Sequence, residues 1–415
     1  MKIAIIGSGI AGLTSAYLLN RSHDISVFEA GDWIGGHTHT VDVQVDGQGY
    51  AVDTGFIVFN DWTYPNFIRL LSQLGVGFKA TEMSFSVNDP VSGVEYNGHS
   101  LNSLFAQRRN LLSPKFWGMV RDILRFNREA LNDLNQQRIA SDMTLGDYLK
   151  ANGYSERFIQ HYIVPMGAAI WSMSLNDMLG FPLQFFVRFF KNHGLLSVSD
   201  RPQWCVVEGG SSSYVAPLTE SFKQHIRLNC AVTRVERDAD GVTVHSAAGS
   251  ERFDKVIFAC HSDQALALLA EPTRIEKEIL GALPYADNDV VLHTDTRLLP
   301  QRPLAWASWN YRLGGLVDQP AAVTYDMNIL QGIQSDTTFC VSLNQTAAID
   351  PSKILARYTY AHPQYSLAGM AAQARWEELL GANHSYFCGA YWANGFHEDG
   401  VVSALRVARE FGEAL

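Results

Sequence analysis

Three glycines and one acid near the start of the chain have the spacing of a dinucleotide-binding site. Gly7, Gly9 and Gly12 form the pattern G-x-G-x-x-G, and Glu29 follows seventeen residues after the third glycine. The first glycine allows a tight turn, the second lets backbone N–H groups approach a pyrophosphate, and the third lets a helix pack closely on a strand. A carboxylate at Glu29 would accept hydrogen bonds from both ribose hydroxyls. The spacing predicts a nucleotide site, and a chance glycine turn is the alternative.

The elements around these residues are those that such a site requires. Residues 2–6 are a short, β-rich apolar run, which predicts a strand leading into the turn. Apolar residues then recur at helical spacing from Leu13 to Leu19, and a second strand-like run, residues 25–28, ends at Glu29. This order predicts a βαβ unit in which the helix N-terminus faces the anion.

Composition limits the class of protein. The chain has 415 residues, which favours about two domains. Its formal net charge of -10 argues against a nucleic-acid partner, because little positive charge is available to balance a phosphate backbone. No apolar run reaches the roughly 20 residues of a membrane-spanning helix. Since a core strand begins at residue 2, we expect no secretory signal.

The cysteines predict a reducing compartment. The five are scattered, odd in number and without a C-x-x-C pair, which fits free thiols in the cytoplasm and excludes a disulfide framework. No histidine or cysteine spacing typical of a metal site occurs, so no metal is expected. These cysteines are Cys205, Cys230, Cys260, Cys340 and Cys388.

The secondary-structure pattern changes several times along the chain. It is helical and aromatic between about 100 and 195, returns to strand near 203, is strand-like again from about 285 to 345, and ends in a helix from about Gly400 to Phe411. We therefore predict a discontinuous nucleotide-binding domain with two insertions. Its segments are 1–75, 201–265 and 370–415, and the substrate-binding domain comprises 76–200 and 266–369.

Four more segments carry a family resemblance. They are Gly35-Gly36-His37-Thr38, Asp53-Thr54-Gly55-Phe56, the pair formed by Glu208-Gly209-Gly210 and the strand containing Val232, and the closing stretch from Phe387 to Val401. With the glycine turn, they resemble the FAD-dependent amine oxidase and phytoene desaturase superfamily over nearly the whole chain. The glycine turn alone is compatible with NAD, whereas the first and last motifs together favour FAD.

The resemblance implies an α/β, two-domain flavoprotein with a Rossmann-like FAD-binding domain and a mixed α+β substrate domain. FAD is expected to be noncovalent, because His37 and His39 fit a pyrophosphate loop better than a covalent link. His37 replaces the arginine of many relatives. The implied cofactor-binding residues are Gly7, Ser8, Gly9, Ala11, Gly12, Glu29, Ala30, Gly36, His37, Thr38, Gly55, Phe56, Val232, Gly389, Asp399, Gly400 and Val401.

The resemblance implies the residues that lie near the reactive flavin ring less directly than it implies the cofactor-binding residues. Many amine oxidases of this superfamily place a lysine against the flavin, but residues 285–293, the corresponding stretch, contain none. The aromatic half of an amine cage is matched loosely by Phe396 or Tyr391. His397 precedes the last helix and is our candidate acid or base near neutral pH, with helix capping as the alternative.

The Phe-rich insertion is the guide to substrate. Phe185, Phe186, Phe189 and Phe190 fall on one face of a predicted helix, and Trp171 precedes it. They form either an aromatic core or the wall of an apolar tunnel, or they rest on a bilayer while Arg and Lys reach head groups. We take Trp171, Phe186, Phe189 and Tyr391 as candidate substrate-binding residues and expect Arg or Lys at the cavity entrance.

The predicted function is an FAD-dependent oxidoreductase that dehydrogenates or desaturates a hydrophobic, lipid-like substrate by hydride transfer to flavin. We expect a cytoplasmic protein with peripheral contact to the inner face of the membrane. The alternatives are a flavin amine oxidase that releases hydrogen peroxide, a redox-neutral flavin isomerase and a flavin-bound scaffold without activity.

Overall fold

The structure is a computed structural model that describes residues 1–314 and 320–415. Residues 315–319 fall within the region predicted to be strand-like and to belong to the substrate domain, and they lie outside the described residues.

The strands are β1 (Lys2–Ile6), β2 (Asp24–Phe28), β3 (Thr40–Val45), β4 (Gln48–Asp53), β5 (Val58–Asn60), β6 (Phe78–Ala80), β7 (Phe85–Asp89), β8 (Val94–Asn97), β9 (Trp204–Val207), β10 (Ile226–Arg227), β11 (Val232–Asp238), β12 (Gly241–Ser246), β13 (Gly249–Phe253), β14 (Lys255–Phe258), β15 (Tyr285–His293), β16 (Trp309–Arg312), β17 (Val323–Asp326), β18 (Cys340–Leu343), β19 (Ile354–Pro363) and β20 (Ser385–Phe387).

The α-helices are α1 (Ile10–Leu19), α2 (Pro65–Leu74), α3 (Leu101–Leu104), α4 (Pro114–Asn135), α5 (Leu145–Ala151), α6 (Glu156–Phe158), α7 (Val164–Trp171), α8 (Leu175–Leu179), α9 (Leu183–Asn192), α10 (Val215–Thr219), α11 (Ser262–Leu268), α12 (Arg274–Gly281), α13 (Met327–Leu330), α14 (Leu367–Gln373) and α15 (His397–Glu410). A π-helical turn, Ile159–Ile163, joins α6 to α7.

A parallel sheet forms the nucleotide-binding half of the fold. Its order is β10-β2-β1-β14-β20, and every neighbouring pair is parallel. Strand β1 is apolar after Lys2 and buried from Ile3 to Ile6, as expected of a strand covered on both faces. The five strands come from the start, middle and end of the chain, while the domain limits given above stay a prediction.

A second, seven-stranded sheet lies in the other half, with the order β19-β15-β18-β17-β16-β7-β8. Its pairs are antiparallel except β16 with β7. The helices α3–α9 form a separate aromatic core that includes Phe126, Trp171 and Phe186. This arrangement confirms the predicted two-domain α/β class with a mixed substrate domain.

The last helix begins earlier than predicted. Helix α15 starts at His397, and not near Gly400, because a carboxylate oxygen of Asp399 accepts the backbone N–H groups of Phe396 (2.9 Å) and Asn394 (3.1 Å). This side chain fixes the first turn. Within residues 1–314 and 320–415, no helix combines the length and apolarity needed to cross a membrane.

Candidate functional site

A cavity of about 710 Å³ lies at the carboxyl ends of the parallel strands and reaches the seven-stranded sheet. This volume is within the roughly 300–1,000 Å³ usual for small-molecule sites. The position matches the rule that open parallel sheets bind ligands at the carboxyl edge of their strands. Predicted residues that line the cavity are Gly7, Ser8, Gly9, Ala11, Glu29, Ala30, Gly36, His37, Gly55, Phe56, Val232, Gly389, Trp171, Tyr391 and His397.

The glycine turn shows why its three glycines differ. A Cβ on Gly12 would lie 2.0 Å from the carbonyl oxygen of Gly7, so Gly12 permits α1 to pack on the turn. Gly7 has φ +106°, and its Cβ would lie 2.8 Å from the Ala259 carbonyl oxygen. A Cβ on Gly9 would meet no protein atom within 4 Å. Gly9 is the N-cap of α1 and offers no side chain to cap it, which leaves the helix N-terminus free for an anion.

Glu29 is held at the end of β2 by backbone and side-chain donors. Its Oε2 accepts the backbone N–H (2.9 Å) and hydroxyl (2.6 Å) of Ser8, and its Oε1 accepts the N–H of Gly31 at 2.8 Å. The carboxylate is therefore oriented before any ligand binds. Its place beside the glycine turn suits a ribose contact.

The Gly35-Gly36-His37 segment crosses beside the glycine turn, where the N–H of Gly35 donates to the carbonyl oxygen of Ser8 at 3.1 Å. The ring of His37 lies 5.6 Å from that of His362 and 6.0 Å from that of His261, centroid to centroid. Burial and the nearby His261 lower the pKa of His37 to about 4. His37 is uncharged at neutral pH and does not replace the family's arginine as a cation.

This group of three histidines was not found by sequence reasoning. His37, His261 and His362 all line the cavity, and burial lowers the pKa of His261 to about 4 and that of His362 to about 3. They lie 101 or more residues apart, so only the tertiary structure brings them together. In the described part of the chain, no group of His, Cys, Asp and Glu has metal-site geometry.

His397 lies in a buried polar cluster with the hydroxyls of two other residues. Its Nε2 is 2.8 Å from the Tyr214 hydroxyl and 3.0 Å from the Thr38 hydroxyl, and its ring stacks on Phe56 at 3.5 Å between centroids. Thr38 is fully buried behind this contact and does not line the cavity. Burial, with His37 nearby, lowers the pKa of His397 well below 6.5. The ring is therefore neutral near pH 7 and a weaker base than a free imidazole, and its role as acid or base stays a prediction.

Asp53 begins the Asp53-Thr54-Gly55-Phe56 segment of the sequence analysis but was not among the predicted cofactor-binding residues, and the structure places it as a positioning residue. Its carboxylate accepts the hydroxyl of Thr40 (2.6 Å), the N–H and hydroxyl of Ser211 (2.8 and 2.9 Å) and the side-chain amide of Gln331 (2.9 Å). It thereby fixes the end of β4, from which Gly55 and Phe56 enter the cavity wall. The sequence signal was its place in that segment, which did not reveal the partners Thr40, Ser211 and Gln331.

The closing segment acts mainly through packing. Gly400 allows α15 to approach α1, since its Cβ would lie 2.8 Å from a side-chain carbon of Ile10, and Val401 is fully buried in the same core. Together with Asp399 and Gly12, these two residues position the site without lining the cavity. Tyr391 does line it, and its hydroxyl has no hydrogen-bond partner among the described residues.

The prediction for the Phe-rich helix is partly wrong. Phe186 and Phe189 are buried in the helical core, where the Phe186 ring stacks on Phe190 at 4.0 Å and Phe189 packs on Trp171 at 4.8 Å. Neither lines the cavity. Their aromatic face meets the inward faces of neighbouring helices, so it can neither rest on a bilayer nor touch substrate. Trp171 is the residue of this group that reaches the cavity.

One part of the cavity wall is aromatic and apolar: Ile57, Trp309, Tyr325 and Leu330 line it and belong to one hydrophobic cluster, and Trp171 of the helical core lines it as well. The expected Arg or Lys is not found among the described residues that line it. Strand β15, which the family resemblance implied to be the counterpart of a lysine-bearing stretch, contributes Tyr285 to the lining. Among the described lining residues the only carboxylate is that of Glu29, beside the glycine turn.

The residues present fit FAD. The open space at Gly9, the oriented carboxylate of Glu29 and the unpartnered polar atoms His37 Nε2 and Tyr391 Oη all belong to one cavity wall. A βαβ glycine turn joined to a mixed second domain defines a two-domain, dinucleotide-binding protein.

Comparison with known proteins identifies the family. Residues 10–304 match the model of the flavin-containing amine oxidoreductases, and the chain belongs to that family. It is an FAD-dependent oxidoreductase, in which FAD, when bound, supplies the redox chemistry.

Relatives differ in the substrates their names imply. The chain is 24% identical over 350 residues to AofH of Mycobacterium tuberculosis, assigned as a flavin-containing monoamine oxidase, covering 79% of this chain and 71% of AofH. It is 22% identical to a zeta-carotene desaturase of Solanum lycopersicum, covering 69% of this chain and 51% of the desaturase. The fold matches a CLA-producing fatty acid isomerase from P. acnes with TM-score 0.68 and 14% identity, covering 99% and 98% of the two chains.

Proposed function

We propose that this FAD-dependent oxidoreductase dehydrogenates or desaturates a hydrophobic, lipid-like substrate. The observation that carries the proposal is the chemistry of the cavity wall beyond the nucleotide end, formed by Trp171, Trp309, Tyr325 and Leu330 without a lysine, arginine or carboxylate among the described residues. Such a wall favours an uncharged chain through burial of apolar surface. The carotene desaturase relatives support the same substrate class.

The chain's own residues would bind and orient both partners. We propose that the glycine turn and the N-terminus of α1 hold the pyrophosphate, that Glu29 accepts the ribose hydroxyls, and that Val232 contacts adenine. Gly55, Phe56 and the neutral His397 would border the reactive ring. Trp171 and Tyr391 would exclude water and hold the substrate chain against it.

An amine oxidase is the second candidate, favoured by the AofH relative and by the pair of aromatic residues, Tyr391 and Phe396, in the cavity wall. A redox-neutral isomerase is the third, favoured by the likeness in fold to the fatty acid isomerase. The three candidate functions differ in their flavin chemistry. In the first, a lipid reduces the flavin; in the second, an amine does; in the third, the flavin must be reduced beforehand and no net oxidation occurs.

Anaerobic mixing of the purified yellow enzyme with potential substrates separates the three. We expect micellar fatty acids, phospholipids or carotenoids to bleach the flavin and to yield a product with two fewer hydrogens by mass spectrometry. Bleaching by primary amines alone, with imine or aldehyde formed, would replace the proposal by the amine oxidase. A product of unchanged mass that requires pre-reduced flavin would replace it by the isomerase.

Trp309→Ala provides the matched variant for this assay, and Phe186→Ala is its control. Trp309 lines the cavity, so its loss should raise KM for a long-chain lipid. Phe186 is fully buried in the helical core, so its loss should lower stability by about 3–5 kcal/mol while the KM of the folded enzyme is retained. Equal effects of the two substitutions on KM would contradict the proposal that the cavity wall containing Trp309 binds the substrate.

We also propose that FAD is held without a covalent bond and that the protein works in the cytoplasm at the membrane surface. Free rather than paired cysteines support a reducing compartment. Acid or heat should release all the yellow colour into the supernatant. Flavin that stays with the precipitated protein would contradict noncovalent binding.

A further inference from the structure

Large apolar side chains are exposed on one part of the helical layer. Leu101 is 77% exposed, Leu112 is 89%, Trp117 is 48% and Leu124 is 53%, and Leu111 is exposed beside them. On α4 the solvent-facing stripe is Trp117, Arg121, Leu124 and Arg128, at helical spacing, while Phe116, Met119 and Phe126 face the core. Such clustering distinguishes this part from the scattered exposed residues that any surface has.

Contacts join these residues into one surface. The indole N–H of Trp117 donates to the carbonyl oxygen of Leu111 at 2.9 Å, which ties the turn before α4 to the helix. Arg108 donates to the carbonyl oxygen of Asn102 at 3.2 Å, which ties the same turn to α3. We call this the amphipathic surface. It comprises Leu101, Leu111, Leu112, Trp117 and Leu124 with Arg108, Arg109, Lys115, Arg121 and Arg128.

The surface is cationic in an acidic protein. Residues 101–128 contain six Arg or Lys side chains and one acid, Asp122, whereas the whole chain has a formal charge of -10. Asp122 is buried and engages Arg125, and Glu129, the next acid along α4, pairs with Arg125 at 3.5 Å and with the exposed Arg128 at 3.7 Å. Arg108 and Arg109 donate to backbone carbonyl oxygens of Phe105 and Gly93. Within the described residues, Lys115 and Arg121 form no ion pair, so their charges face solvent uncompensated.

We propose that the amphipathic surface docks the protein on an anionic phospholipid bilayer. Leucines and a tryptophan flanked by arginine and lysine are the residues that bury apolar area at the headgroup boundary while cations meet lipid phosphates. Because the net charge of the chain is negative, only a local cationic surface can hold it against a membrane of the same sign. This proposal rests on the proposed function in one respect: docking on a membrane would bring the enzyme to a lipid substrate. The binding experiment that tests it does not require the enzyme to turn over a substrate.

The docked helix is linked to the cavity by packed aromatic rings. On the inner face of α4, Phe126 contacts Phe186 with centroids 6.4 Å apart, and Phe186 contacts Trp171 at 5.9 Å. Trp171 lines the cavity. The helical layer therefore has one face toward the proposed membrane and the other toward the proposed substrate.

Sedimentation of the FAD-loaded protein with vesicles tests the proposal. We expect binding to vesicles of phosphatidylcholine mixed with phosphatidylglycerol, weaker binding to phosphatidylcholine alone, and loss of binding as salt is raised. The double variant Arg121→Glu and Leu124→Glu should lower the partition coefficient about tenfold or more. Its far-ultraviolet circular dichroism and flavin content should match those of the wild type, because both side chains are exposed.

The matched control is Arg274→Glu with Ile275→Glu. These two exposed residues are adjacent on α12 and offer the same change of one cation and one apolar side chain. Although α12 falls within the predicted substrate-binding segment 266–369, its Ile279 and Leu280 pack in the core of the parallel sheet, away from α4. The control should sediment like the wild type. Equal loss by both double variants, or no binding of the wild type to anionic vesicles, would overturn the proposal. A dimer in analytical ultracentrifugation that the first variant alone dissociates would assign the surface to self-association instead.

Failure of docking and failure of the proposed function give different results. If detergent-solubilised lipid bleaches the flavin but vesicles are not bound, the docking surface is wrong and the substrate class stands. If vesicles are bound and the first variant is impaired while no lipid bleaches the flavin, the docking surface stands and the substrate class is wrong.

Discussion

At the residue scale, Glu29 is the side chain from which cofactor affinity follows most directly. Its carboxylate is oriented by Ser8 and Gly31 at the end of β2. Glu29→Ala should weaken FAD binding about ten- to a hundredfold, since a hydrogen bond to a charged group contributes roughly 1.5–3 kcal/mol. Glu29→Gln keeps one acceptor oxygen, so its affinity for FAD should lie between those of the wild type and Glu29→Ala. Fluorescence titration of the apoprotein with FAD measures both, and an unchanged Kd for Glu29→Ala would remove Glu29 from the ribose site.

Asp399 gives a pH-dependent prediction at the same scale. Burial raises the pKa of its carboxyl from 3.8 to about 6. The folded protein therefore binds a proton more tightly than the unfolded chain, and stability decreases as pH rises from about 4 to about 6.

Asp399→Asn isolates this effect. The amide oxygen can still accept the two backbone N–H groups, because both donate to a single oxygen of Asp399. The variant should match the wild type below about pH 4 and exceed its free energy of unfolding by about 1–3 kcal/mol above pH 6. Urea unfolding with saturating FAD at several pH values measures the difference. A difference that does not vary with pH would mean that Asp399 titrates normally.

At the element scale, two glycines of the strand–turn–helix unit have different roles: Gly12 is needed for packing and Gly9 for cofactor binding. Gly12→Ala would place a methyl group 2.0 Å from the Gly7 carbonyl oxygen and should destabilise the protein by about 3 kcal/mol or more. Gly9→Ala meets no protein atom within 4 Å, so the protein should fold normally while FAD affinity falls, because the methyl group narrows the anion site. Thermal unfolding and FAD titration of the two variants test this. Equal losses of stability would contradict the distinct roles of the two glycines.

At the scale of the whole molecule, Gln331 links the two halves of the fold. Its side-chain oxygen accepts the backbone N–H of Asp53 at 2.9 Å, while its amide donates to the Asp53 carboxylate. Gln331→Ala leaves a buried acceptor and a buried donor without their partner and should cost roughly 2–4 kcal/mol. FAD affinity should decrease as well, because Asp53 positions the segment of Gly55 and Phe56.

Gln345→Ala is the control for this change. Gln345 is also buried, but its amide bonds Thr324 within the seven-stranded sheet. The Gln345→Ala substitution should lower the melting temperature without changing the Kd for FAD. If both variants bind FAD like the wild type, the bond from Gln331 to Asp53 is structural only.

The sequence by itself determined the nucleotide-binding unit, since its signals are local. Strand β1, the glycine turn, α1 and Glu29 lie within thirty residues, and each follows from turn chemistry or hydrophobic period. The two-domain class and FAD also followed, because the family's motifs are short segments with their own spacing. The start of α15 was missed by three residues because a side-chain cap, Asp399, decides it.

Only the tertiary structure decided which residues share the cavity and which faces meet solvent. The three histidines, the partners of Asp53 and the pair of hydroxyls on His397 come from distant segments, so no local pattern records their contacts. The helical spacing of apolar residues correctly placed Phe186 and Phe189 on one apolar face of a helix. Such spacing does not specify whether that face packs against other helices, a ligand or a membrane. Packing against α4 and α7 buried it, while the side chains of Trp117 and Leu124 on the outer face of α4 stayed about half exposed to solvent.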